Sequence, residues 1–426
     1  MAKFKAIRGT RDVLPEEWPY WDHIERAIRK VTALYGYRKI ATPILEETGL
    51  YVRGVGQGTD IVDKEMYTFE DRGGRSLSLR PEFTAGIMRA YLENGLHVQP
   101  KPVKLYSVGP IFRYERPEAG RYRQHTQFNV EAIGEQDPAL DFEVIALALH
   151  LFREIGLTGT RLQINSTGCP RCRPQYVSQL TEYYSTRLDV VCSDCRRRFE
   201  RNPLRLLDCK VPQCQPVIAE APNIRAHLCS ECRQHFETLL SYLDAASVPY
   251  EVNPRLVRGL DYYTKTVFEV WVQGIGSQNA ICGGGRYDGL IEELGGPPTP
   301  GIGFGSGIER LVLTLQEQNV PVASPSAPAV FLAHLGEEAK RVALEMVQAF
   351  RAEGIPALVS FGERSLKAQL RDANRVGARV VVVIGEEELR DGRFQLKWLD
   401  RGEQTSVPRE QVILSVKQEL RGVALD

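Results

Sequence analysis

The sequence predicts an α+β domain built on an antiparallel sheet, a small cysteine-rich insertion within it, and a C-terminal α/β domain. Strand patterns at 103–114 and 122–133 are joined by a connection that contains Pro117 and Gly120, so we expect a hairpin. Most other strand patterns of the first domain are adjacent or hairpin-linked, which favours an antiparallel sheet with helices on one face. The nearly continuous β-branched run at 380–384 instead indicates a strand buried on both faces, as in a parallel sheet.

The remaining elements of the first domain follow from the spacing of apolar residues. This spacing predicts helices at 16–35, 83–93, 141–154 and 308–317. Further strands are predicted at 39–45, 76–79, 262–272, 280–282 and 301–307. Pro43 falls inside the first of these strands and therefore indicates a sheet edge or an interface.

Beyond the Pro- and Ser-rich segment 318–328, strands and helices alternate regularly. Strands are predicted there at 330–334, 357–360 and 380–384, with helices at 337–353 and 365–376. These shifts in pattern divide the chain into a first domain (1–167 plus 246–320), an insertion (168–245), a linker (321–328) and a C-terminal domain (329–426).

The composition is that of an ordinary globular protein, since 43% of the 426 residues are apolar and 25% are charged. The 54 basic and 54 acidic residues cancel, which excludes a wholly basic nucleic-acid coat and leaves RNA contacts to local patches. The N-terminal segment lacks the apolar stretch of a secretory signal, and the run at 380–384 is far too short to span a bilayer. We expect a cytoplasmic protein without membrane association, with reduced cysteines.

Four arginines lie within eleven residues of the predicted hairpin: Arg113, Arg116, Arg121 and Arg123. Guanidinium groups bind phosphate oxygens through paired hydrogen bonds, so arginines that surround one pocket indicate a phosphate ligand. On the second strand, Gln127, Asn129 and Glu131 are two residues apart and share a face, which suits a small polar ligand. The alternative is a solvated edge hairpin with surface salt bridges.

A second cluster, L-V-R-G-L-D-Y-Y-T at 256–264, places an arginine beside glycine, aspartate and two tyrosines. Gly259 permits a close backbone approach. Arg258 could then lie over a reacting phosphate, and the hydroxyls of Tyr262 and Tyr263 could contact a polar ligand. The alternative is that Arg258 caps the sheet through Asp261.

Glycines dominate a third cluster. A glycine triplet precedes Arg286, and alternate residues of 301–307 are glycine, so these four share one face of a strand. A strand face without side chains is a slot for a flat purine ring, and Arg310 on the following helix is placed to contact a nucleotide. Cys282, beside the triplet, is interpreted as a packing residue.

Eight of the nine cysteines occur as close pairs in the insertion. The pairs are Cys169 with Cys172, Cys192 with Cys195, Cys209 with Cys214, and Cys229 with Cys232. This spacing fits one or two tetrahedral zinc sites, and the nearby arginines suit a module that faces RNA. The alternative is a small helical domain in which eight reduced thiols are packed.

The order of these segments resembles that of class II aminoacyl-tRNA synthetases. Segment 41–47 is similar to motif 1 of that class, the hairpin at 109–134 to motif 2, and 301–311 to motif 3. The strings L-V-R-G-L-D-Y-Y and G-G-G-R-Y-D-G resemble the two signatures of histidyl-tRNA synthetases, and the similarity extends over nearly the whole chain. The resemblance implies an ATP-dependent ligase that converts L-histidine to histidyl-adenylate and transfers it to the 3′ end of tRNA(His).

The resemblance also implies roles for single residues. Arg113 would hold the ATP α-phosphate, Arg258 would lie across it, and both would act in catalysis. Glu115, Arg121 and Arg310 would complete the ATP site. Histidine would be bound by Glu82, Thr84, Gln127, Glu131, Tyr262 and Tyr263. Mg²⁺ would neutralise the phosphates, the C-terminal α/β domain would bind the anticodon, and the protein would be a homodimer.

Phe83 departs from the family pattern, which has glycine between the Glu and Thr of R-P-E-G-T. A bulky side chain there is expected to alter the backbone next to Glu82 and Thr84. Two other functions stay open: a non-catalytic histidine sensor similar to the regulatory subunit of ATP phosphoribosyltransferase, and a generic RNA-binding protein that uses the basic insertion. The full set of arginines and the C-terminal domain argue against the sensor.

Overall fold

The computed structural model of the chain describes residues 4–56, 59–257, 262–272, 280–323 and 327–421. The chain divides into two compact units, Met1–Val322 and Ala323–Asp426, each with hydrophobic clusters of its own. Within the described ranges, no helix combines the length and the apolar composition that a membrane crossing requires.

A large mixed sheet forms the centre of the first unit. Its described strands and those of a small neighbouring sheet are β1 (Arg38–Lys39), β2 (Leu45–Glu47), β3 (Tyr67–Glu70), β4 (Ser76–Leu79), β5 (Val103–Phe112), β6 (Gln124–Ile133), β7 (Arg161–Ser166), β8 (Tyr250–Val252), β9 (Thr264–Trp271), β10 (Ala280–Arg286) and β11 (Gly301–Gly307). The large sheet has the order β1-β5-β6-β11-β10-β9-β7-β8. Its central pairs are antiparallel, as the sequence predicts, whereas the two edge strands β1 and β8 pair in parallel.

Helices cover the sheet and complete its core. The described α-helices of the first unit are α1 (Trp18–Leu34), α2 (Thr48–Val55), α3 (Thr84–Glu93), α4 (Pro138–Glu154), α5 (Arg173–Ser185), α6 (Ser193–Arg201), α7 (Gln215–Ala219), α8 (Ser230–Ala245), α9 (Leu290–Glu293) and α10 (Ile308–Glu317). Ile24 of α1, Leu151 of α4 and Leu311 of α10 are buried in one core with the sheet. α4 begins where Asp137 accepts a hydrogen bond from the Ala139 N–H at 2.8 Å.

One strand prediction is wrong. The predicted strand 39–45 is interrupted, since β1 ends at Lys39 and β2 begins at Leu45. Pro43 between them has no N–H to give to a sheet, and the Thr42 carbonyl accepts a hydrogen bond from Arg80 (2.9 Å) instead. The strand predicted at 280–282 continues through the glycine triplet to Arg286.

The cysteine-rich segment is helical. α5, α6 and α7 surround a cluster in which Tyr176, Leu180 and Leu206 pack with the cysteines of the segment. α8 at its end contacts two cores, because it brings Cys232 to this cluster and Phe236 to the core of the large sheet. α8 thus joins the insertion to the sheet.

The second unit is a five-stranded sheet with helices. Its described elements are β12 (Val330–His334), α11 (Glu337–Ala352), β13 (Ala357–Val359), α12 (Leu366–Arg375), β14 (Val380–Ile384), α13 (Glu386–Asp391), β15 (Arg393–Trp398), β16 (Gln404–Pro408) and α14 (Val412–Arg421). β12 pairs in parallel with β13 and β14, which confirms the predicted parallel arrangement. β15 and β16 add an antiparallel edge that the sequence analysis did not predict.

Candidate active site

Two pockets lie side by side along β11. The first, here called the arginine pocket, is lined by glycines of β10 and β11 and by Arg113, Glu115, Arg121, His125, Glu269 and Arg310. The second, here called the carboxyl pocket, is lined by Glu82, Thr84, Gln127, Asn129, Tyr262, Tyr263 and Tyr287. Arg113, Gly283 and Gly305 line both pockets, so ligands bound in the two would meet at Arg113.

The β5–β6 hairpin positions Arg113 at this junction. The two strands pair antiparallel, and just beyond them the Arg113 N–H donates to the Arg123 carbonyl at 2.8 Å. The Arg113 side chain is held by a hydrogen bond from Nε to the Pro81 carbonyl at 2.7 Å. Its position is therefore set by the protein itself, which suits stabilisation of a developing negative charge.

The other hairpin arginines differ in their surroundings. Arg121 lines the arginine pocket. Arg123 packs on the Tyr114 ring, with its guanidinium carbon 3.6 Å from the ring centroid, and Arg116 is exposed. The alternative of a solvated hairpin therefore describes Arg116 but not Arg121.

Burial shapes the charge of the arginine pocket. Desolvation lowers the pKa of Arg121 and of Arg310, and Glu115 accepts a hydrogen bond from Arg121. Burial, and after it the charge of Arg113, lowers the pKa of His125 to about 4, so this ring is neutral at pH 7. The pocket therefore presents guanidinium groups without a further imidazolium charge, and it can bind a polyphosphate.

The glycine strand β11 forms a wall of both pockets. Gly305 and Gly307 line the arginine pocket, and Gly303 and Gly305 line the carboxyl pocket. A Cβ at Gly305 would lie 2.7 Å from the Gln127 amide nitrogen, whereas a Cβ at Gly307 would have no neighbour within 4 Å. The strand face predicted as a slot for a purine therefore serves the carboxyl pocket as well.

Glu82 and Thr84 reach the carboxyl pocket from the start of α3. The Glu82 carboxylate accepts hydrogen bonds from the N–H groups of Thr84 and Ala85, the latter at 2.9 Å, and burial raises its pKa. Phe83 turns its ring into the core, 4.2 Å from the guanidinium carbon of Arg80. The backbone thus keeps Glu82 and Thr84 at the pocket although Phe83 replaces the usual glycine.

Glu131 lies directly beneath the carboxyl pocket and is fully buried. Its carboxyl group accepts hydrogen bonds from Thr84 Oγ1 at 2.6 Å and from the Tyr287 hydroxyl, and both of these side chains line the pocket. Desolvation raises the pKa of Glu131 to about 8. A carboxyl group that is largely protonated at neutral pH can both donate and accept a hydrogen bond.

Three tyrosines surround the same pocket. The ring centroids of Tyr262 and Tyr263 are 4.8 Å apart, and Tyr287 meets Tyr262 edge-on at 5.9 Å. Desolvation raises the pKa of Tyr262 and of Tyr287, so their hydroxyls remain donors at neutral pH. Arg258 and Asp261, which the sequence analysis assigned beside these tyrosines, lie outside the described residues.

Sequence reasoning gave no role to several residues that line the pockets, among them His125, Glu269 and Tyr287. Cys282, interpreted as a packing residue, is buried and also lines the arginine pocket. His125 is in step with Gln127 on β6, so the alternation that identified Gln127 could have identified it. Tyr287 lies within the string G-G-G-R-Y-D-G, which could have identified it, but its contact with Glu131 spans 156 residues and no local pattern indicates that contact.

Arg286 is a structural residue. It is fully buried and pairs with Asp141 at 2.7 Å and with Asp288 at 2.9 Å. His235 of α8 lies 2.8 Å from the same Asp141 carboxylate. This buried cluster ties α4, α8 and β10 together beside the carboxyl pocket.

The cysteines of the insertion form two closed groups. The first cysteine group is Cys169, Cys172, Cys229 and Cys232, and the second cysteine group is Cys192, Cys195, Cys209 and Cys214. In each group the four sulfur atoms lie within 4.8 Å of one another, and the described cysteines are all free thiols. These groups could each hold a metal ion, and they resolve the pairing that the sequence left open.

An arginine-rich pocket and a small polar pocket that meet at Arg113, on a mixed sheet of this topology, are the arrangement of a class II aminoacyl-tRNA synthetase. Comparison with known families narrows the class. Residues 9–171 and 200–311 match the family model described as histidyl-tRNA synthetase, and residues 329–419 match that of an anticodon binding domain. The chain belongs to the histidyl-tRNA synthetase family.

Curated relatives match almost the whole chain. The histidine–tRNA ligase of Caldanaerobacter subterraneus subsp. tengcongensis is 49% identical over 97% of this chain and 99% of its own length. That of Desulforamulus reducens is 51% identical over 96% of this chain and 98% of its own length.

Solved structures agree. Apo histidyl-tRNA synthetase of S. aureus matches with a TM-score of 0.80 and 37% identity, over 97% of this chain and 100% of that chain. A Bacillus halodurans protein described as an ATP phosphoribosyltransferase regulatory subunit/histidyl-tRNA synthetase shares the fold, with a TM-score of 0.65 and 23% identity over 90% of this chain and 98% of that chain.

Proposed function

We propose that the chain activates L-histidine with ATP and transfers the resulting histidyl group to the 3′ end of tRNA(His). The observation that carries this proposal is the position of Arg113, which lines both pockets. The α-phosphate in the arginine pocket and the histidine carboxylate in the carboxyl pocket would meet at its guanidinium group. Membership of the family supplies the identity of the amino acid and of the tRNA.

The reaction runs in two steps. A carboxylate oxygen of histidine attacks the α-phosphorus of ATP, and pyrophosphate leaves. Negative charge builds on the α-phosphate oxygens, and Arg113, held by the Pro81 carbonyl, stabilises it with little reorganisation. The terminal ribose hydroxyl of the tRNA then attacks the acyl carbon of the adenylate, and AMP leaves.

The arginine pocket is the proposed ATP site. Arg121 binds the phosphates, Glu115 orients Arg121, and Arg310 lies against the nucleotide. Arg310 is itself held by a hydrogen bond to the Ala280 carbonyl at 2.5 Å. The carboxylates of Glu115 and Glu269 in this pocket are suitable oxygen ligands for a Mg²⁺ ion bound with ATP, which would neutralise phosphate charge.

The carboxyl pocket is the proposed histidine site. Glu82 is suited to the α-ammonium group, with Thr84 and Gln127 beside it. The imidazole ring needs one donor and one acceptor, which the hydroxyls of Tyr262 and Tyr263 are proposed to supply. Glu131, beneath the lining, is proposed to act on the histidine through Thr84 and Tyr287. The role of Arg258, opposite Arg113 at the α-phosphate, rests on the family resemblance alone.

The partners and the domain division are further parts of this proposal. The segment 329–426 would bind the anticodon, and the match of 329–419 to an anticodon binding domain supports this. The boundaries 1–167 plus 246–320, 168–245 and 321–328 stay predictions, as do the homodimer and the cytoplasmic location.

We further propose that each cysteine group holds a zinc ion. Four sulfurs about 2.3 Å from a tetrahedral zinc lie about 3.8 Å from one another. The Sγ–Sγ distances of 3.7 Å for Cys169–Cys172 and 3.8 Å for Cys192–Cys209 fit that geometry. Elemental analysis should find two zinc ions per chain, one for each group. A folded protein without zinc would support the alternative of packed thiols.

Histidine-dependent exchange of pyrophosphate into ATP tests the enzymatic proposal. We expect exchange with histidine and roughly 10⁴-fold less with phenylalanine, because a site built for polar hydrogen bonds rejects an analogue that lacks them. Equal exchange with other amino acids, or none with histidine, contradicts the proposal.

The regulatory-subunit function is the remaining rival, since a protein described partly in those terms shares the fold. The match to an anticodon binding domain and the arginine pocket favour the ligase. A purified protein that binds histidine but catalyses no exchange would favour the rival.

A further inference from the structure

We propose that a zinc ion in the first cysteine group positions Tyr263 in the carboxyl pocket and thereby controls the affinity for histidine, whereas an ion in the second cysteine group does not. The inference rests on the proposed function, because it concerns the same histidine pocket. The supporting observations are contacts that connect both cysteine pairs of the first group, Cys169–Cys172 and Cys229–Cys232, to the segment Tyr263–Lys265.

The chain just before Cys169 is joined to the start of β9. The Thr167 N–H donates to the Lys265 carbonyl at 2.7 Å, and the Lys265 N–H donates to the Gly168 carbonyl at 2.8 Å. Lys265 therefore runs alongside the residues that lead into the first cysteine pair.

Arg173 makes the second connection, directly after Cys172. Its N–H donates to the Cys169 carbonyl at 2.9 Å, so its backbone belongs to the turn that the first cysteine pair forms. Its guanidinium group donates to the Thr167 carbonyl at 3.0 Å and to the Tyr263 carbonyl. A metal that fixes the 169–172 turn thereby fixes the group that holds the Tyr263 backbone.

The second cysteine pair of this group, Cys229 and Cys232, is connected to Lys265 through Glu231. Glu231 lies between Cys229 and Cys232, and its carboxylate is 3.2 Å from the Lys265 ammonium group. Lys265 is buried and has a φ of 48°, a left-handed conformation that a lysine adopts only when its surroundings hold it. Both cysteine pairs of the first group therefore support this strained position.

The segment has room to shift if these supports are lost. A cavity of about 190 Å³ adjoins it and is lined by Thr167, Arg173 and Tyr263 among others. Displacement of the Tyr263 backbone towards this cavity would move the ring away from the carboxyl pocket, which Tyr263 also lines.

The second cysteine group has a different setting. Cys192 caps the start of α6, and Arg201 at the end of that helix lies 3.2 Å from Asp63. A metal there would stabilise the basic helix α6. Residues after that helix, such as Leu204 and Arg205, line the cavity beside Tyr263 but not the carboxyl pocket.

Matched serine substitutions test the inference. Cys229→Ser and Cys192→Ser each alter a half-buried cysteine, one in each group. We expect each variant to lose one zinc ion by elemental analysis. Histidine binding, measured by calorimetry without ATP, should weaken by roughly tenfold or more in Cys229→Ser, as expected for loss of a charge-assisted anchor, and by less than about twofold in Cys192→Ser. Equal effects of the two substitutions would overturn the inference.

Arg173 variants separate positioning from folding, because Arg173 is not a metal ligand. Arg173→Ala should keep both zinc ions, raise the KM for histidine roughly tenfold and leave the KM for ATP within about twofold. Arg173→Lys, which retains a cationic donor, should restore part of the histidine affinity. An unchanged KM for histidine in Arg173→Ala, or wild-type protein without zinc, would overturn the inference. If the wild-type protein catalyses no histidine-dependent exchange of pyrophosphate into ATP, the proposed function itself is refuted.

Discussion

Glu131 is a carboxyl group enclosed beneath the carboxyl pocket, where Thr84 and Tyr287 donate hydrogen bonds to it. Burial raises its pKa from 4.5 to about 8, so the folded protein retains a proton that the unfolded chain releases. The resulting stabilisation is fully present below about pH 4.5 and is lost as the pH rises through about 8. The contribution of Glu131 to folding stability without ligand is therefore smallest at alkaline pH.

Replacement of this carboxyl group by an amide should remove that titration. Without histidine, the difference in melting temperature, Glu131→Gln minus wild type, should become more positive as the pH rises from about 5 to about 9. Glu93→Gln, which removes an exposed carboxylate paired with Arg89, is the control for the loss of one acidic side chain. Parallel profiles for Glu131→Gln and wild type would show that Glu131 does not titrate as described.

Tyr287 provides a second test at the residue scale. Tyr287→Phe removes the hydroxyl that donates to Glu131 and leaves the buried ring in place. One hydrogen bond contributes about 1 kcal/mol, so the KM for histidine should rise roughly fivefold while the KM for ATP changes little. A larger increase in the KM for ATP than in the KM for histidine would indicate that Tyr287 acts in the arginine pocket instead.

At the scale of elements, the glycines of β11 differ in the pocket that they line: Gly303 lines only the carboxyl pocket, Gly307 only the arginine pocket, and Gly305 both. Gly305→Ala would push a Cβ against the Gln127 amide, whereas Gly307→Ala would point into open space of the arginine pocket. We expect the first to raise the KM for histidine by about tenfold, since small displacements of a binding group are costly, and the second to act mainly on the KM for ATP. Steady-state exchange kinetics of both variants measure this, and identical kinetic profiles would contradict it.

Secondary-structure elements were predictable from the sequence where neighbouring residues alone determine the backbone conformation. The β5–β6 hairpin follows from its Pro and Gly turn, and β14 follows from its β-branched run. β7 escaped prediction because the buried polar residues Gln163 and Asn165 interrupt its apolar pattern. Their side-chain amides donate to distant residues, Gln163 to Glu251 and Asn165 to the Leu256 carbonyl. β15 was missed although its buried residues Phe394, Leu396 and Trp398 alternate with polar ones, which is the pattern of a half-buried strand.

At the scale of the whole molecule, the site depends on residues that only the fold brings together. The resemblance named Glu82, Gln127 and Arg113, and the structure places all three around adjoining pockets. It also locates Glu131 beneath the pocket lining, where no sequence pattern indicates its raised pKa. Burial and long-range contacts set these properties, so they could not be derived from local spacing.

Arg113 and Arg116 lie on one hairpin and carry the same charge, but only Arg113 reaches the junction of the two pockets. Single-turnover formation of histidyl-adenylate by Arg113→Ala and Arg116→Ala therefore tests whether the pockets form one adenylating site. We predict a loss of roughly 10²-fold or more for Arg113→Ala, because a fixed group opposite the developing charge is removed, and less than about threefold for Arg116→Ala. Equal rates in the two variants would contradict the account.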